Sequence, residues 1–151
     1  MNVEERILEL GIKLPETTAP KGMYIPVKRA GGLLYVSGQL PVGEDGELLT
    51  GKIGGERDLG YGQEAARRCV IGILAALKNE LGDLGLVKGV AKLQVFVNCE
   101  PDFTQQPLVG NGASELLFSI FGEPGRHART SIGVNQLPLN ASVEIDAIVD
   151  V

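Results

Sequence analysis

The chain has 151 residues, of which 44% are hydrophobic and 22% are charged, and this mixture predicts one globular domain rather than a disordered chain. The net charge of −5 disfavours binding to a phosphate backbone, so nucleic acid is not the expected partner.

The first half of the chain predicts a short helix, two strands and a long loop. Residues 3–10 have the apolar spacing of an amphipathic helix, which Gly11 ends. Residues 23–30 and 33–37 are rich in strand-forming residues and are separated by a Gly-Gly turn. Seven glycines within residues 42–62 predict a surface loop.

The second half predicts two helices and three strands. An apolar stripe indicates a helix over residues 63–81, and alternation indicates a strand over 87–98. A second helix is predicted from a cap at Asp102 to residue 121, followed by strands at 128–137 and 142–151. The order ββαβαββ after the N-terminal helix predicts an α+β fold, with both long helices on one face of a mostly antiparallel sheet.

The last strand indicates how the sheet is covered. Its valines, Ile145 and Ala147 share one face, which suits packing against helices, whereas the other face mixes Glu144, Asp146 and Ile148. A partly apolar face without helices predicts an oligomer that covers it.

No segment indicates a membrane, a secretory route or a metal. The N-terminus is acidic and lacks the apolar stretch of a signal peptide, so we expect a cytoplasmic protein. Cys69 and Cys99 lack the spacing of a zinc site and are expected to be free thiols. No cofactor is predicted.

Candidate chemistry is concentrated near the C-terminus. His127, the only histidine, is predicted to make hydrogen bonds before a strand, with a general base as the alternative. Arg129 is predicted either to form a salt bridge with Glu144 or Asp146 or to bind an anion. A tight hairpin near Pro138 would separate Arg129 from Glu144 by roughly 13 Å, so their meeting would need a wider loop, a bulge or a neighbouring subunit.

Several segments resemble the Rid (YjgF) superfamily of reactive-intermediate deaminases, some of which are labelled L-PSP endoribonucleases. The resemblance covers about residues 20–151, which leaves residues 1–20 as an N-terminal extension of a single domain over 1–151. Residues 125–129, GRHAR, are similar to a branch whose activity is poorly defined. The segments that carry the resemblance are YVSGQLP (35–41), NGASE (111–115), RTS (129–131), LP (137–138) and VEID (143–146).

The resemblance implies a chorismate-mutase-like fold and a homotrimer with three small-molecule clefts between subunits. It implies a hydrolase that converts enamine or imine products of dehydratases into 2-keto acids and ammonia, as a 2-iminobutanoate/2-iminopropanoate deaminase does, without a metal or cofactor.

The resemblance also implies a set of site residues. Arg129 matches the arginine that binds the substrate carboxylate, and Glu144 matches the carboxylate that positions water. The deaminase pattern has cysteine where this chain has Ser131, which leaves the substrate open. The implied substrate-binding positions are Tyr24, Ser37, Gln39, Asn111 and Ser131.

Three functions therefore remain open from the sequence. The first is an imine or enamine deaminase, and the second is a trimeric protein that binds small carboxylates without turnover. An endoribonuclease is the third, and the acidic charge and single histidine argue against it.

Overall fold

The computed structural model, which describes residues 1–20 and 22–151, has a five-stranded sheet with two long helices on one face. This architecture confirms the predicted α+β fold and its element order. The helices are α1 (Val3–Glu9), α2 (Leu59–Leu81) and α3 (Gln106–Phe121), and the strands are β1 (Val27–Ala30), β2 (Leu33–Gln39), β3 (Gly89–Asn98), β4 (Ala128–Val134) and β5 (Val143–Asp150).

The strands lie in the order β1-β2-β5-β3-β4. Strands β3 and β4 run parallel, and every other neighbouring pair is antiparallel. Because α3 connects the parallel pair, β3, α3 and β4 form a βαβ unit at one edge of the sheet.

Two helices begin at other residues than the sequence predicted. Helix α2 begins at Leu59 because the Asp58 side chain accepts a hydrogen bond from the Tyr61 amide at 2.8 Å. Helix α3 begins at Gln106, and Asp102 does not cap it. Pro107 lies in the first turn, where a missing N–H costs nothing.

The predicted alternation of β3 and β5 is confirmed. Leu93, Val95 and Val97 of β3 are fully buried on the helix-covered face, together with Val143 and Ile145 of β5. The other face carries no helix, and we call it the open face. Its β5 residues are Glu144, Asp146, Ile148 and Asp150.

The last two strands do not form the tight hairpin considered from the sequence, because β3 lies between β4 and β5. Arg129 pairs with Leu93 and therefore shares the helix-covered face. Glu144 pairs with Phe96 and therefore lies on the open face. The sheet separates Arg129 from Glu144 within one chain.

Close contact between α2 and α3 depends on Gly112. A Cβ atom at this position would lie 2.1 Å from the Gln63 carbonyl oxygen of α2. The glycine therefore sets how near α3 sits to α2, and with it the position of every α3 side chain. Among the described residues, no helix combines the length and apolar character needed to cross a bilayer.

Candidate functional site

Arg129 is fixed against α3 by three hydrogen bonds. Its Nη1 donates to Asn111 Oδ1 and to Ser114 Oγ, both at 3.0 Å, and its Nη2 donates to the Pro107 carbonyl oxygen at 3.0 Å. All three acceptors belong to α3, so one helix orients the planar guanidinium. This arrangement brings together Arg129 and Asn111, two of the residues assigned from the sequence.

Gly110 allows this close approach. A Cβ atom there would lie 2.7 Å from Ser131 Oγ and 3.0 Å from Arg129 Nη1. Ser131 therefore also lies at the seam between α3 and β4. Its Oγ is buried and has no hydrogen-bond partner in the described chain.

The predicted salt bridge from Arg129 to Glu144 or Asp146 is wrong. Across residues 1–20 and 22–151, no carboxylate forms an ion pair with Arg129. Its remaining guanidinium hydrogens, on Nε and Nη2, have no partner in that part of the chain. The positive charge is thus oriented but not neutralised, which suits capture of an anion.

His127 makes hydrogen bonds on both sides of its ring. Its Nδ1 lies 2.7 Å from the Gly125 carbonyl oxygen, and its Nε2 lies 2.9 Å from Ser114 Oγ. A carbonyl oxygen only accepts, so Nδ1 carries the hydrogen and a neutral ring leaves Nε2 as an acceptor. Burial lowers the pKa of His127, the bond to Gly125 opposes this shift, and the charge of Arg129 adds to it.

A cavity of about 480 Å³ opens beside these groups. Arg129 and His127 form its polar side, and Phe118, which is 48% exposed, forms an apolar wall. Glu115 and Arg126 also line it. The cavity can therefore hold a small molecule with an anionic group and an apolar part.

Glu144 lies on the open face, where β2 has a bulge. A Cβ at Gly38 would lie 3.0 Å from Glu144 Oε2, so the glycine makes room for the carboxylate. Burial, and then the neighbouring charge of Asp146, raises the pKa of Glu144. The Gln94 amide, in the orientation that satisfies both groups, donates to Asp146 at 3.0 and 3.2 Å.

The other assigned residues lie apart from Arg129. Ser37 lines an open-face cavity of about 690 Å³ and donates from Oγ to the Ile25 carbonyl oxygen at 2.7 Å. Gln39 points to the opposite side of the sheet and packs on Gly72 of α2. Tyr24 is 55% exposed in the segment before β1.

One chain therefore forms two separate groups of candidate residues. The first lies at the α3–β4 seam and contains Arg129, Asn111 and Ser131. The second lies on the open face and contains Ser37 and Glu144. Within the described residues, no cluster of three histidine, cysteine or acidic side chains could hold a metal ion.

Sequence reasoning missed Ser114, which links Arg129 to His127. A usable signal was present, because Ser114 follows Asn111 by three residues and therefore faces the same side of a helix. Gly110 was missed for another reason. Its importance depends on the distance between α3 and β4, which no local pattern specifies.

Comparisons with known proteins agree on the family. The profile of the family described as "YjgF/chorismate mutase-like, putative endoribonuclease" matches residues 4–149. Protein TCP17 of Trypanosoma cruzi is 48% identical over 149 residues, which are 98% of this chain and 93% of that protein. The solved structure of protein Atu1372 of Agrobacterium tumefaciens is 48% identical in sequence and superposes with a TM-score of 0.90. The match covers 99% of this chain and 93% of the Atu1372 chain.

A more distant relative has a name that states an activity. It is a protein of Dermatophagoides farinae called 2-iminobutanoate/2-iminopropanoate deaminase. The two sequences are 29% identical over 139 residues, which are 91% of this chain and 93% of that protein.

Proposed function

Because the chain belongs to the YjgF/chorismate mutase-like family, we propose that it hydrolyses the imine or enamine forms of 2-imino acids to 2-keto acids and ammonia. The observation that carries this proposal is Arg129, which three hydrogen bonds orient and no carboxylate of the described chain neutralises. The name of the 29% identical D. farinae protein supports the same reaction.

In this proposal Arg129 binds the substrate carboxylate. Its free Nε and Nη2 hydrogens suit the two oxygens of a carboxylate, and the bonds to Asn111, Ser114 and Pro107 hold the guanidinium before the ligand arrives. The substrate carbon C2, next to the carboxylate, is then held where water can attack it. The rest of the substrate lies in the cavity beside Phe118.

Glu144 positions the attacking water in this proposal. Burial raises its pKa, which makes the carboxylate a better proton acceptor than an ordinary glutamate. Since the sheet separates it from Arg129 in one chain, a second copy must bring its Glu144 to this Arg129. The exposed Tyr35 and Ile132 on the open face support such an assembly, for which we propose a homotrimer in the cytoplasm.

A trimeric protein that binds small carboxylates without turnover is the second candidate. The separation of Arg129 from Glu144 favours it, because a single chain offers an anion site without the proposed water-positioning carboxylate. The two candidates share the ligand and differ only in turnover.

The test couples the protein to a dehydratase that produces 2-aminoacrylate or 2-aminocrotonate, and follows keto acid release above the spontaneous rate. We expect acceleration that Arg129→Ala reduces by about 10²–10⁴-fold, because two charge-assisted hydrogen bonds contribute about 1.5–3 kcal/mol each. Arg67→Ala is the matched control, since Arg67 pairs with Glu64 on the surface of α2.

The outcomes separate the candidates. Acceleration over the spontaneous rate supports the deaminase. Binding of 2-oxobutanoate that requires Arg129, without any acceleration, supports the binding protein. RNA cleavage that survives repeated purification and disappears in Arg129→Ala would instead support an endoribonuclease.

A further inference from the structure

We propose that Ser114 and His127 form a proton relay for the Arg129 site, in which the Ser114 hydroxyl contacts the reacting groups and His127 accepts its proton. This inference rests on the proposed function and adds two residues to it. The relay lies on the same side of the sheet as Arg129 and belongs to the same chain.

Three consecutive hydrogen bonds fix the direction of the relay. The Gly125 carbonyl oxygen, 2.7 Å from Nδ1, holds the hydrogen of His127 on that nitrogen. The bare Nε2 then accepts the Ser114 hydroxyl hydrogen at 2.9 Å. Arg129 donates to the Ser114 oxygen at 3.0 Å, which favours loss of the serine proton. A base oriented by a third group is the usual arrangement for activating a hydroxyl.

The reaction needs a second proton-transfer group in addition to Glu144. The attacking water loses two protons in becoming the keto oxygen, and one of them must reach the departing nitrogen. Glu144 can approach only from another copy of the chain, since it lies on the open face. Ser114 lines the cavity beside Arg129 and can serve the substrate from the other direction.

The relay gives a balanced sequence of steps for a protonated imine. Water attacks C2, the C=N electron pair moves to nitrogen, and a water proton passes to Ser114 while the serine proton passes to His127 Nε2. The same path returns the proton to the amino group. The C–N bond then breaks, ammonia leaves with the electron pair, and the C2 hydroxyl releases its proton to Glu144 of the neighbouring copy as the keto group forms.

The surroundings of His127 suit a neutral acceptor. The charged groups around its cavity are Glu115 from α3 and Arg126 and Arg129 from its own segment. Burial lowers the pKa of His127, and Arg129 adds to this effect. The ring therefore favours its neutral form more than an ordinary histidine does, and its Nε2 can take a proton during the reaction.

Single-turnover and steady-state kinetics on the 151-residue chain test the relay. In His127→Gln, the amide can accept the Ser114 hydrogen but cannot carry a proton. We expect His127→Gln to lower kcat about 10²-fold while the affinity for 2-oxobutanoate stays within about threefold. Ser114→Ala should lower both kcat and that affinity, because it also removes a hydrogen bond that orients Arg129. Thr104→Ala, which removes an exposed hydroxyl before α3, is the control expected to match the wild type.

The pH dependence separates proton transfer from a structural role. The wild type should lose kcat at acidic pH as His127 becomes protonated. His127→Gln should lack this part of the acidic loss and keep only the part caused by protonation of Glu144. Wild-type kcat in His127→Gln, or an equal loss of kcat and of 2-oxobutanoate affinity, would overturn the relay.

NMR of the ring nitrogens tests the relay independently of turnover, because His127 is the only histidine and its signals are unambiguous. We expect the tautomer with hydrogen on Nδ1, and a changed Nε2 shift in Ser114→Ala. The opposite tautomer would overturn the relay even in an active enzyme. The expected tautomer in a protein without acceleration would support the relay geometry and refute the proposed function.

Discussion

Replacement of Gly110 by alanine should disturb the Arg129 site more than the fold. The new Cβ would lie 2.7 Å from Ser131 Oγ and 3.0 Å from Arg129 Nη1, where ordinary contacts begin near 3.4 Å. Ser131 can rotate away because its hydroxyl has no partner to lose. Arg129 must move by a few tenths of an ångström, away from Asn111 and Ser114 on the same helix.

The expected magnitudes follow from these contacts. Weakening one charge-assisted hydrogen bond costs about 1.5–3 kcal/mol, which corresponds to about 10- to 150-fold weaker binding of a carboxylate at Arg129. The extra Cβ lowers the free energy of unfolding by overpacking, but replacing a glycine inside a helix by alanine raises it by about 0.8–1 kcal/mol. We therefore expect the melting temperature to change by no more than about 4 °C.

Gly112→Ala is the matched control on the same helix. Its Cβ would lie 2.1 Å from a backbone oxygen of Gln63, which cannot rotate away. We expect a loss of about 3 kcal/mol in the free energy of unfolding, or about 10 °C in melting temperature.

Calorimetric titration with 2-oxobutanoate and thermal unfolding of both variants provide the measurements. Gly110→Ala should lose affinity and keep stability, whereas Gly112→Ala should lose stability. Binding of 2-oxobutanoate by Gly110→Ala as tight as that of the wild type would refute the idea that the ligand binds Arg129 in the orientation that α3 gives it.

Three further predictions concern single side chains. Ser131→Ala should raise the melting temperature of the ligand-free protein by about 2–4 °C, because the buried Ser131 hydroxyl has no partner and destabilises the fold by about 1 kcal/mol. A melting temperature below that of the wild type would contradict this. Glu144→Gln should resist urea better than the wild type at pH 7.5 and equally well below about pH 4. Because the pKa of Glu144 is raised in the native state, that state binds more protons than the unfolded state, and the free energy of unfolding of the wild type falls as the pH rises from about 4 to 7.5. A constant difference at all pH values would contradict the assigned cause. Cys69 should react with a thiol reagent only after unfolding, since burial, and then the charge of Glu144, raises the pKa of its thiol; rapid labelling of the native protein at Cys69 would show that α2 opens.

Local patterns predicted most of the fold. Alternation assigned the faces of β3 and β5 because a strand that is buried on one side must place apolar residues at every second position. The apolar stripe predicted α2, whose first turn was missed because its cap, Asp58, lies in a glycine-rich loop.

The pairing of strands was not predictable in the same way. Alternation specifies the face of a side chain but not the neighbour of its strand. Pro138 and the residues after it resemble a turn between adjacent strands, yet β5 leaves the edge and inserts between β2 and β3. The strand–helix–strand order of β3, α3 and β4 was the better guide, since such units make parallel pairs.

The Arg129 site lies where β4 and α3 face each other with polar instead of apolar residues. The helix-facing positions of β4 are Arg129, Ser131 and Gly133, whereas the same positions of β3 and β5 are apolar. The α3 residues that meet them include Asn111 and Ser114. Polar groups buried between a helix and a sheet must make hydrogen bonds to one another or to a ligand. Polar faces on the consecutive elements α3 and β4 therefore predict that these two elements pack against each other. Within that seam the Ser131 hydroxyl and part of the Arg129 guanidinium still lack partners in the described chain, which is the condition expected of a site that binds an anion.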